Sequence, residues 1–99
     1  MKIKVKESNV KSVNKFSEEF VEKACKNAID MCKVAKKVKV GSIYYDDVNL
    51  EIIKGENKYT TSILLLSKYD FVIAQGIILS DGSVYFVGMC YSEDVKFIN

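Results

Sequence analysis

Polar and apolar residues alternate strictly over residues 2–6, Lys-Ile-Lys-Val-Lys, which puts Ile3 and Val5 on one face of a short strand. Lysine at every second position is a common guard on a sheet edge, so this strand is expected at an edge. Beyond a polar connector over 7–13 the period changes. Phe16, Phe20, Ala24, Ala28, Met31, Cys32 and Ala35 recur at three- and four-residue spacing, while Glu19, Glu22, Lys26, Asp30, Lys33 and Lys37 fall on the opposite arc. That spacing predicts one amphipathic helix over 16–38, about six turns long. Asn14 or Ser17 can accept its first amide hydrogens. Glu18 and Glu19 at the start, with Lys33, Lys36 and Lys37 at the end, suit the helix dipole, and Gly41 offers a stop.

After Gly41 the period becomes two. Val48, Leu50 and Ile52 alternate with Asn49 and Glu51, and 54–58 form a turn cluster. Strands are then predicted over 59–67, 71–79 and 84–91, and 95–98 either add a short tail strand or simply dock. Lys68-Tyr69-Asp70 turns the chain between the first two, and Asp81-Gly82 marks a tight hairpin between the last two. The expected fold is α+β: a strand, one long amphipathic helix, then a four-stranded antiparallel meander curled around the helix. The whole chain, 1–99, reads as one domain.

This order resembles the cystatin architecture in topology alone. The Gln-x-Val-x-Gly hairpin of that family has no counterpart at 54–58, and its Pro-Trp pair is missing because both residue types are absent. The resemblance therefore implies a shape and not protease inhibition.

With Asp81 and Gly82 as the two central turn residues, Leu79 faces Val84, Ile77 faces Phe86 and Ile78 faces Tyr85. One hairpin face then carries Leu79, Val84, Ile77, Phe86, Ile73, Cys90 and Phe71 and is expected to lie under the helix. The other carries Val72, Ile78, Tyr85, Val87, Met89 and Tyr91 over Ala74 and Gly76. A wetted face normally shows Lys, Glu, Thr or Ser, and one helix covers one face only. These six residues are therefore the predicted interface, for a protein partner or for a second copy of the chain. The alternative is cover supplied from within the same chain.

Composition narrows the chemistry more than it directs it. The 99 residues contain no His, Trp, Pro or Arg, and all 15 basic residues are lysine. Without imidazole there is no His-based triad and no mixed Cys/His zinc site. Cys25 and Cys32 lie on the apolar side of the helix and read as core, and Cys90 has no histidine to activate it. The five glycines form neither a P-loop nor a dinucleotide fingerprint. The acidic pairs Asp46-Asp47 and Glu93-Asp94 sit on alternating strand positions, so neither forms a shared cation site by itself. No catalytic residue, metal ligand or cofactor is expected, and the chain reads as a non-enzyme.

Charge is unevenly distributed. Residues 1–40 carry 11 lysines and five acids, net +6, whereas 41–99 carry four lysines and eight acids, net −4. Lys26, Lys33, Lys36 and Lys37 form a candidate electrostatic face. Tyr44, Tyr45, Asp46 and Asp47 form a candidate contact patch of two aromatic anchors beside two charges. Three cysteines, the absence of a secretory leader pattern, and an apolar stretch at 63–79 broken by Lys68, Tyr69 and Asp70 indicate a cytoplasmic protein that does not enter membranes.

The expected function is that of a small intracellular binding protein working through protein–protein contacts. A chain lacking Arg and His but rich in Lys, Ile, Asn and Tyr suits an AT-rich bacterial or phage genome, and hence an accessory inhibitor of a host defence system. Two other classes remain: a binder of a nucleotide-like small ligand stacked on tyrosines, and a weak nucleic-acid binder through the lysine face. The lack of arginine and the net charge of +2 make nucleic acid the less expected partner.

Overall fold

A computed structural model describes residues 1–7, 17–55, 61–89 and 93–99. The architecture is α+β. Strand β1 (Lys2–Glu7) and helix α1 (Glu18–Lys33) precede β2 (Lys37–Val40), β3 (Ile43–Asp46), β4 (Asn49–Lys54), β5 (Thr61–Leu66), β6 (Val72–Ile78), β7 (Val84–Gly88) and β8 (Val95–Ile98). One sheet has the order β1-β4-β5-β6-β7, an antiparallel meander from β4 to β7 with β1 added in parallel at the edge. A second, antiparallel sheet has the order β3-β2-β8. The two meet at a corner, where Val87 bridges Asp94 and the Gly88 amide donates to the Glu93 carbonyl at 3.0 Å.

The helix begins at Ser17, whose hydroxyl accepts from the Phe20 amide at 3.2 Å. It buries Val21, Ala24, Cys25, Ala28 and Cys32, a stripe of mostly small side chains that lets the backbone approach β4, β5 and β7. It ends at Lys33, one full turn and more before the expected limit. Residues 37–40, Lys-Val-Lys-Val, fit a helical arc and a two-residue alternation equally well. The β-branched valines, buried on one face of β2, settle the choice once β3 and β8 pair on both sides. Gly41, with φ of 60°, turns the β2–β3 hairpin instead of stopping the helix.

Leu50, Ile52, Ile63 and Leu65 are fully buried beneath α1, each worth ~1.5–3 kcal/mol of apolar burial. Val38 and Val40 close the core from the second sheet, and the Phe86 and Phe97 rings meet edge-to-face at 5.3 Å. The Asn27 side chain donates to the Gly82 carbonyl at 2.8 Å and pins the helix to the β6–β7 turn.

That turn corrects the expected hairpin register. The Leu79 amide donates to the Ser83 carbonyl and the Gly82 amide to the Leu79 carbonyl, both at 2.9 Å, so three residues and not two form the loop. Gly82 takes the left-handed position, φ 83°, of a type I turn with a bulge. Asp81 caps it by accepting from the Ser83 hydroxyl and amide, bonds that hold its carboxyl below the usual carboxylate range. Every pair shifts by one: Ile78 faces Val84, Ile77 faces Tyr85, Gly76 faces Phe86 and Gln75 faces Val87. Ile78 thus packs against the core, while Ile77 and Leu79, expected beneath the helix, are exposed.

Gly76 is needed where it stands. A β-carbon there would lie 2.9 Å from Ile63 Cγ2 and 3.0 Å from Val84 Cγ1. Gly76→Ala is expected to destabilise the fold by about 1–3 kcal/mol through overpacking. In urea unfolding the midpoint should fall while the slope stays constant.

Candidate functional site

The β5–β6 connection shapes the most unusual surface. The Ser67 hydroxyl is buried and accepts from the Tyr69 and Phe71 amides, each at 3.3 Å. The Ser67 amide donates to the Phe71 carbonyl at 2.8 Å, and Asp70 adopts φ 64°, a conformation Asp tolerates better than most residues. With its backbone so committed, the turn throws its side chains outward. The pairing of β5 with β6 also shifts between Leu65 and Leu66, so that Leu65 faces Ala74 and Leu66 faces Val72 with Ile73 as the extra residue. Ile73 and Ala74 are consequently both buried, and Phe71, expected in the core, is exposed.

These outward side chains face β3 across a groove of about 620 Å³. Its walls include Ile43, Tyr44, Tyr45 and Asp46 on one side and Lys68, Tyr69, Phe71 and Val72 on the other, with Met89 and Glu93 at the corner of the sheets. Tyr44 is 60% exposed, Tyr69 71%, Phe71 70% and Met89 53%, an unusual gathering of large side chains in water. Lys39 lies over the Tyr44 ring at 5.3 Å and Lys68 over the Tyr69 ring at 5.2 Å.

The geometry of β3 is informative. Neighbouring residues on a strand point to opposite faces, yet all four residues of β3 line the groove. A groove touching both faces of a strand must run along its edge. β3 is one of the two outer strands of its sheet, and among the described residues no further strand pairs with its free side.

The predicted sites are thus redistributed. Of the six interface residues, Val72 and Met89 line the groove. Tyr85 and Val87 lie on the outer face of the meander, Tyr85 half exposed and paired with Ile77. Ile78 turns to the core, and Tyr91 lies outside the described residues, as does Cys90. In the contact patch, Tyr44 is exposed, Tyr45 packs partly on the core, and Asp46 reaches Lys37 at 3.7 Å. Asp47, with φ 55°, faces a second cleft of about 720 Å³. Lys33 and Lys36 line that cleft with Lys2 and Lys68; Lys26 stands apart on the helix and Lys37 is engaged by Asp46. Sequence reasoning missed Ile43, Tyr69 and Phe71. The only signal was the pair of aromatics in and after a turn whose first residue, Ser67, can cap it.

Among the described residues no three carboxylates or thiols gather as a metal site, and no helix is long and apolar enough to cross a membrane. Set against known proteins, the chain matches no family model, no curated protein and no solved structure.

Cys25 and Cys32 are both buried and neither is joined in a disulfide. Burial pushes the Cys32 thiol from its ordinary 9.0 up to about 12, which leaves it protonated and a poor nucleophile at neutral pH. Mass spectrometry after iodoacetamide treatment at pH 8 is expected to show Cys32 unmodified in the native protein and modified after denaturation.

Proposed function

We propose that this chain is a non-enzymatic binding protein that captures a partner polypeptide in extended conformation along β3. What supports the reading best is that a groove lined by every residue of a strand at its open edge offers both a backbone ladder and side-chain pockets. Strand addition works in this way: main-chain hydrogen bonds give affinity and pockets for alternate side chains give selectivity. The apolar walls formed by Phe71, Val72 and Met89 favour aliphatic or aromatic residues at alternate positions of the partner. Lys68 and Lys39 beside Asp46 and Glu93 make the rim mixed in charge, which suits a neutral segment over a strongly charged one.

The contrast between the β1 edge and the β3 edge favours the same reading. The β1 edge carries Lys2, Lys4 and Lys6, which discourage pairing. β3 carries no lysine, and its single charge, Asp46, is directed to Lys37.

The test is selection of random 12-residue peptides on the purified protein, followed by titration of variants. Phe71→Lys and Met89→Lys should each weaken the selected peptides by about 30-fold. Both sites are exposed, so the fold should tolerate the changes within ~0.5 kcal/mol. Peptides N-methylated at alternate residues should lose binding in one phase and keep it in the other. Selected peptides that bind both lysine variants and both methylated forms as tightly as before would refute the groove. A homodimer in sedimentation that Phe71→Lys dissociates would show the groove occupied by a second copy and refute capture of a separate partner.

A further inference from the structure

The second cleft is chemically unlike the first. Lys2 comes from β1, Lys33 from the last turn of α1, Lys36 from the link to β2, and Lys68 from the β5–β6 turn. Four segments far apart in sequence thus contribute four lysines to the lining of one cleft of about 720 Å³, a size ordinary for small-molecule sites, with the Lys68 ammonium on its border over the Tyr69 ring. The carboxylate facing them there is Asp47. Among the described residues, the ion pairs run Lys6–Glu51 at 2.7 Å and Lys37–Asp46 at 3.7 Å, and neither engages these four lysines. Counting side chains alone, basic groups outnumber acidic ones in the lining by three, in a chain whose total is +2.

Helix termination accounts for part of this. Lys33 and Lys36 lie near the negative end of the α1 dipole and interact favourably with it. Lys2 and Lys68 have no such helix end on their own elements. Their convergence on the same space places mutually repelling groups together, which a folded chain sustains at little cost only while water or a counter-anion fills the gap.

We propose that this cleft binds a compact polyanion of the oligophosphate class, the four ammonium groups acting as point-charge ligands to separate phosphoryl oxygens. Lysine suits this role: it offers three rotatable donors on a flexible stem and binds phosphate without the planar fork of arginine. Compactness follows from the surroundings. Residues 41–99 carry a net charge of −4, so a long polyanion leaving the cleft meets repulsion that a ligand of three or four charges avoids. Asp47 is the built-in opponent, a like charge facing the ligand.

The experiment is calorimetric titration of the full chain with inorganic tripolyphosphate at pH 7.5. A dissociation constant on the order of 100 µM is expected at 20 mM salt, weakening about tenfold by 300 mM. Lys2→Gln and Lys68→Gln, which leave the helix end intact, should each weaken binding about three- to fivefold, with thermal unfolding confirming the fold. Asp47→Asn is the sharper variant, because Asn also accepts φ near 55° while removing the opposing charge; it should tighten binding about threefold. ATP binding as tightly as tripolyphosphate, or more tightly, with the same variant pattern supports the proposal and separates the nucleotide source from the inorganic one. Tripolyphosphate binding no tighter than sulfate, or unchanged in all three variants, would overturn it. A 20-nucleotide single strand that binds a hundredfold more tightly and responds to Lys26→Gln would also overturn it, in favour of nucleic acid along the helix. Lys68 also lines the aromatic groove, but Lys2 and Asp47 do not, so the Lys2→Gln and Asp47→Asn results stand or fall independently of peptide capture.

Discussion

One sixteen-residue helix packs its apolar stripe on β4, β5 and β7, and the second sheet completes the same core through Val38 and Val40. That stripe is narrow and built from small side chains, so the larger sheet must come close and bend toward it. Bending in turn requires the places where the ladders are interrupted. The shift between Leu65 and Leu66 and the corner at Gly88, where a β-carbon would lie 2.6 Å from Glu93 Cβ, permit the wrap. The same interruptions decide what faces water. The shift turns Ile73 inward and leaves Phe71 and Val72 outside, and the corner brings Met89 round to meet them. The exposed apolar groove is thus a by-product of closing one core with a single helix and two sheets.

Much of the architecture was legible where one periodicity dominated. The lysine-guarded edge of β1 and the meander follow from patterns that fit only one element type, whereas Ser17 caps α1 with Asn14 as the other candidate, and 95–98 pair as a strand where docking was the alternative. Failure came where two patterns were superimposed. Lys-Val-Lys-Val at 37–40 satisfies a helix and a strand alike, and the arbiter is pairing with β3 and β8, which lie far along the chain or carry weak signals. The β6–β7 turn was located correctly, but the signal Asp81-Gly82 serves two-residue and three-residue loops equally. One residue of difference moved Ile78 from the outer face to the core side.

The groove was less legible than the fold for a related reason. Tyr44, Tyr45, Asp46, Val72 and Met89 were each singled out, but as members of two separate surfaces. Their union depends on the corner between the sheets, a long-range feature with no local signature. Tyr69 and Phe71 depend on Ser67, whose hydroxyl replaces backbone partners for two amides. From sequence, a Ser-Lys-Tyr-Asp-Phe run reads as a turn followed by a core strand. Only the bulge that follows shows that the strand enters the core two residues later than its hydrophobicity suggests.

The same short turn also separates the two clefts. Lys68 lines both, while Tyr69 and Phe71 belong to the aromatic groove alone. A ligand at the lysine cleft and a strand at β3 would therefore meet across a turn held by the hydrogen bonds of one buried serine, with Lys68 placed between an anion and the Tyr69 ring. The shortness of β3 adds a constraint on the groove side. Four residues give few ladder bonds, each worth a net ~1 kcal/mol, so a captured strand must draw most of its affinity from Phe71, Val72 and Met89. An edge too short to template aggregation by itself, placed beside pockets that supply the missing affinity, limits pairing to strands whose side chains fit.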